Sequence, residues 1–138
     1  MSPTEAPAGL SVLGSSFGPP ETMRRLIASV TQRDLTVFAH IDHGAGAAEA
    51  GLPLRATELL VFGNARGGTP LMQAAQTAGI DLPLKTLVWE DKDGAVWIGW
   101  NDPGWIALRY ALAPDSAAVE ILREALAKIA HEAAGISI

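Results

Sequence analysis

A chain of 138 residues that is 49% hydrophobic, only 18% charged and free of cysteine is a folded single domain, and it cannot use disulfides, zinc–thiolate sites, iron–sulfur clusters or a cysteine nucleophile. Its net charge of −5 sets fifteen acids against ten scattered bases, with no basic stripe for nucleic acid. No uncharged apolar run approaches the roughly 20 residues of a membrane span, and the first ten residues lack the basic start and apolar core of a secretory signal. The expectation is a cytoplasmic protein with neither nucleic acid nor membrane as partner.

Residues 1–9, rich in Ser, Pro, Glu, Ala and Gly, read as a flexible tail before one domain over 10–138. Residues 10–13 suggest a short first strand. Pro19 and Pro20 suit a first helical turn, and Met23, Leu26, Ile27 and Val30 follow at the spacing of one amphipathic face. Residues 35–43 read as a strand, with Leu35, Val37, Ala39 and Ile41 alternating against Thr36, Phe38, His40 and Asp42. Residues 44–57 mix alanine and glycine and have room for one helical turn. Residues 58–63 form a strand apolar on both faces. Thr69 followed by Pro70 predicts a capped helix over 70–78 that Gly79 stops.

The runs 85–91 and 95–101, joined through Asp93-Gly94, carry a strong hairpin signal. Asp102 and Pro103 open a helix to Tyr110. Asp115 or Ser116 caps a last helix with Val119, Leu122, Leu126, Ile129 and Ala133 on one face, ended by Gly135. The fold class is α+β: a mainly antiparallel sheet of four or five strands with amphipathic helices packed on it.

Several residues have the chemistry of a site. His43 finishes the apolar face of its strand, where an imidazole can act as base, ligand or hydrogen-bond donor, or simply bond the next loop. Gly63 and Gly68 have the spacing of a phosphate loop, but the lysine is missing, so a nucleoside triphosphate is excluded. What is left is Arg66 beside a helix start at Thr69, suited to a small anion, against a plain strand-to-helix turn. Hairpin geometry sets Lys85 beside Asn101, with Asn64 joining them and Asp81 in reach of Lys85; the plain alternative makes Asp81 and Asn101 caps. The three histidines cannot form one metal site by local spacing, and no Gly-x-Ser-x-Gly turn or dinucleotide fingerprint occurs.

The blocks Thr36-Val37-Phe38-Ala39-His40-Ile41-Asp42-His43, Leu60-Val61-Phe62-Gly63-Asn64, Gly68-Thr69-Pro70-Leu71-Met72, Asp81-Leu82-Pro83-Leu84-Lys85 and Asn101-Asp102-Pro103 resemble, in this order, the family catalogued as domain of unknown function 302. The resemblance covers about residues 17–112. It departs at Ala65-Arg66, where a proline and often a lysine are expected, and at Trp100. It implies a small α+β fold that dimerises, and it brings no established activity.

The leading expectation is a module for a small ligand or partner, without cofactor or metal, whose site is His43, Asn64, Arg66, Thr69, Lys85 and Asn101 and whose ligand is a small anion. The alternatives are an enzyme with His43 as general base and Lys85 stabilising an anionic intermediate, or a non-catalytic structural dimer. A homodimer is expected on separate grounds. Both faces of the middle strands are apolar, and two long helices cover only one of them. If the short helices and residues 44–57 covered the other, the chain would stay a monomer.

Overall fold

A computed structural model describes residues 5–137. Five strands form one sheet: β1 (Leu10–Gly14), β2 (Thr36–Asp42), β3 (Thr57–Gly63), β4 (Leu84–Glu90) and β5 (Val96–Asn101). Their order is β1-β5-β4-β3-β2, and every neighbouring pair is antiparallel. Five helices accompany them: α1 (Pro19–Gln32), α2 (His43–Glu49), α3 (Ala65–Ala74), α4 (Pro103–Arg109) and α5 (Ala117–Ala134), with a 3-10 turn at Gln76–Asp81. The α+β class expected from the periodicities is the class observed.

The pleat sorts the strands into two faces. Leu60, Phe62, Val88 and Ile98 point to one side and are buried there under α1 and α5. From α1 this core takes Met23, Leu26 and Val30, and from α5 it takes Val119, Leu122, Leu126, Ile129 and Ala133. Each large apolar side chain so buried stabilises the fold by about 1.5–3 kcal/mol. Ser116 caps α5 through a hydrogen bond from the Val119 amide, 3.3 Å, and Gly135 ends it in the left-handed region at φ 73°. The two oxygens of Ser15 and Thr22, 2.6 Å apart, lock the entry to α1, where the buried Thr22 hydroxyl also donates to the Phe17 carbonyl.

The structure departs from the sequence reading first in β2 and then in α3. In β2 the register shifts between Val37 and Ala39, so Phe38 is a bulge and stands 55% exposed. Val37 lies opposite core residue Phe62, but Ala39 and Ile41 lie opposite Val61 and Leu59, on the other face. One inserted residue swaps the faces of everything after it, so the unbroken alternation expected over 35–43 fails midway. The second departure is α3, which begins five residues before Pro70. Asn64, not Thr69, is its cap: the Asn64 Oδ1 accepts the Gly67 amide at 2.9 Å. The side-chain cap and packing on α5 outweigh the weak helix propensity of Gly67 and Gly68. Gly79 does not stop this helix and instead lies within the 3-10 turn.

Candidate functional site

At the end of β3 the chain must leave the sheet and enter α3 without a gap. Gly63 does this at φ +151°, a conformation that side chains rarely adopt, while its backbone passes the Pro83 side chain. Gly67 lets α3 sit against α5: a Cβ there would stand 3.0 Å from Leu122 Cδ2. Between these close approaches lies a pocket of about 320 Å³. Leu35, Leu82, Leu84, Leu122, Ala125 and the exposed Ile121 supply its apolar walls, and Asn64 and Arg66 supply its polar rim, with Gly63, Gly67, Gly68 and Pro83 completing the lining.

The expected site residues are thereby divided. Asn64 and Arg66 line the pocket. Thr69 is on the same helix, a half-buried residue inside α3 that does not cap it and does not line the pocket. Lys85 lies opposite Val61 and so projects from the face away from the helices, next to Leu84, which projects toward them. Its ammonium donates to the Pro83 carbonyl at 3.1 Å, and burial pushes its pKa below the ordinary value against the pull of Asp81. Asn101 lies opposite Leu10 on that same far face. The expected meeting of Lys85 and Asn101 with Asn64 is therefore prevented by the pleat, although all three stand at one end of the sheet.

His43 is farther away still. Asp42 accepts the Ala45 amide at 2.8 Å and starts α2, so His43 becomes the exposed first residue of a helix and does not finish an apolar strand face. The strand register puts it about 13 Å from Lys85 along the strands and about 10 Å across them. A base at His43 and a stabilising cation at Lys85 have no common substrate position. Asp81 also has other work: its Oδ2 accepts Arg109 at 2.8 Å and the Tyr110 hydroxyl, and that hydrogen bond holds the Tyr110 phenol above its usual pKa.

The sequence motifs do not point to the α5 wall of the pocket. The signal available was Ile121, an isoleucine outside the Val119–Leu122–Leu126 stripe and 66% exposed. A second hollow, of about 310 Å³, lies among Arg24, Arg25, Ser29, Gln32 and Glu132. Its arginines and Glu132 already have partners within the protein. Glu132 accepts from Ser29 and Arg33, Arg24 holds Glu21, and Arg25 reaches the Glu132 carbonyl and lies 4.3 Å from the Phe17 ring centre. Among the described residues no three His, Asp or Glu side chains gather closely enough to hold a metal ion.

A protein-family model described as domain of unknown function DUF302 matches residues 13–133. The chain belongs to this family. A crystal structure of an uncharacterized conserved DUF302 protein from Bacillus stearothermophilus superposes with a TM-score of 0.78 at 22% identity, covering 92% of this chain and 99% of that one, and shares its fold. Among curated proteins, the chain is 48% identical over 105 residues to the fluoride-specific ion channel FluC 1 of Brucella suis biovar 1, and equally so to FluC 1 of Brucella abortus biovar 1. The match takes in 76% of this chain but only 41% and 39% of those proteins, so the DUF302 chain spans about two fifths of their length. No helix among its described residues is long and apolar enough to cross a membrane.

Proposed function

We propose that this DUF302 domain is a small-ligand-binding module whose site is the pocket enclosed by α3, α5 and the adjoining ends of β3 and β4. The observation that carries this reading is the pocket itself. It is concave, mostly apolar, and has two polar side chains at its rim, the usual makeup of a site that holds a small molecule. Its volume of about 320 Å³ is at the small end of the range for such sites. The test is a fragment titration followed by amide NMR. Shifts should concentrate at Gly63, Gly67, Gly68, Leu84 and Ala125, and Ala125→Trp, which fills the space, should remove them. Shifts scattered over the surface, or unchanged in that variant, would contradict the proposal.

A second reading concerns the other face of the sheet. The long helices α1 and α5 stand on one side, while Val12, Leu59, Val61, Leu87, Trp89 and Trp97 form an apolar surface on the other. A second copy of the chain, related by a two-fold axis, is the simplest cover for such a face. The two readings are compatible, because pocket and apolar face lie on opposite sides of the sheet.

A further inference from the structure

We infer that the pocket takes a small amphipathic monoanion, an apolar body of about ten non-hydrogen atoms with one carboxylate-like head. This deepens the ligand-binding proposal above and rests on it. The inference starts from charge. Arg66 is the one charged residue in the lining. Arg24, Arg33, Arg109 and Arg123 each hold a carboxylate, whereas the side chains of Arg55 and Arg66 make no hydrogen bond or ion pair with any described residue, and of these two Arg66 is the one in the pocket lining. Among the described residues no aspartate or glutamate lines the pocket to hold a cationic ligand.

The other rim group agrees. Asn64 has its oxygen engaged by the Gly67 amide, which leaves its NH₂, a donor, as the group it can offer a ligand. The rim therefore offers a guanidinium and a carboxamide NH₂, all donors, and calls for an acceptor-rich head. An arginine fork matches a planar carboxylate in two parallel hydrogen bonds, and such charge-assisted bonds are the stronger kind. The interior calls for the opposite chemistry: Leu82, Leu84 and Leu122 offer no polar atom to a ligand beyond the rim. Size sets the limit, since about 320 Å³ at the ~30 Å³ share of a water-sized group holds about ten such groups. Polyphosphates and nucleotides are excluded by the single cation as well as by volume.

The experiment compares three probes of one length on the isotopically labelled chain in low salt: octanoate, 1-octanol and octylamine. Octanoate is expected to bind at least tenfold more tightly than 1-octanol, shifting Gly63, Gly67 and the Arg66 side-chain Nε–H, with octylamine the weakest. Arg66→Gln should bring octanoate down to the level of 1-octanol and leave 1-octanol unchanged, while Arg66→Lys should restore part of the preference. Equal binding of octanoate and 1-octanol in the pocket would keep the ligand-binding proposal and overturn the anion inference. Octanoate shifts confined to the groove at Arg24 and Arg25 would overturn it too. Absence of binding by all three probes would overturn both.

Discussion

One carboxylate organises the turn between β4 and β5. Asp91 Oδ1 accepts the Asp93 and Ala95 amides at 2.9 and 3.0 Å, and Oδ2 accepts the Trp97 indole N–H at 2.9 Å. The indole bond first, then the amide bonds, favour the ionised form over the opposing effect of burial and lower the pKa from 3.8 to about 2. A carboxylate depressed in the folded state contributes stability that is fully present above the unfolded pKa and is lost as pH falls through the folded one. The window is therefore pH 4 down to about 2. Asp91→Asn keeps an acceptor but loses the charge. Its melting temperature should lie below that of the parent at pH 6, and the gap should narrow steadily from pH 4 to pH 2. A gap independent of pH would show that the charge contributes nothing. The Asp93-Gly94 turn was legible in the sequence. The indole partner was not, because nothing local connects Asp91 with a residue across the hairpin.

At the scale of elements, periodicity exposed most of what the fold uses. The stripes of α1 and α5 are the ones that reach the core, and the first strand, the hairpin and the Ser116 cap stand where the residues suggest. What failed were choices between competing local signals. Thr69-Pro70 is a good helix start in isolation, but Asn64 is a better cap and stands at the sheet's end, so α3 takes in the glycines and carries Pro70 within it. The two candidates separate cleanly by substitution. Asn64→Ala should cost about 1 kcal/mol in urea unfolding, the usual loss of a cap. Thr69→Ala should stay within about 0.5 kcal/mol, as an ordinary substitution away from special features does. The reverse result would return the cap to Thr69. The β2 bulge has the same lesson. Alternation in the sequence is intact through Phe38, and only pairing with β3 reveals the slip that reverses Ala39 and Ile41.

For the molecule as a whole, the proposed assembly turns on the apolar sheet face away from the long helices. Trp89 and Trp97 stand opposite one another across β4 and β5, and Trp89 lies over Gly99, where a Cβ would come within 2.8 Å of the ring. That packing leaves the indoles only partly buried, with Leu59 and Leu87 beside them also half-exposed. If a second copy covers this surface, sedimentation at micromolar concentration should give a species near 29 kDa, twice the 14.4 kDa chain. Leu87→Glu should bring it to 14.4 kDa while preserving the far-ultraviolet spectrum. A parent chain that sediments as a monomer would exclude this cover. The two apolar faces of β3 were legible in the sequence. The pocket was legible only at Asn64 and Arg66, since its walls come from residues far apart in the chain and pleat geometry alone separates Lys85 from them.

The order β1-β5-β4-β3-β2 also distributes entropy unevenly. From β2 to β5 each strand pairs with the next in sequence, so those ladders close shorter loops, as where Asp42 meets Glu58 and Phe62 meets Leu84. β1 skips them all and pairs with β5, Leu10 against Asn101, closing a loop that contains most of the domain. Loop-closure cost rises by only ~0.6 kcal/mol per doubling, so this one pairing costs about 1.5 kcal/mol more than a short one. It is repaid by Leu13, which reaches the core opposite Ile98, and by Ser15, whose amide continues the ladder to the Val96 carbonyl at 2.8 Å. The meander is thus the locally closed part of the sheet, and β1 is the strand whose attachment rests on contacts made across all the other strands of the sequence.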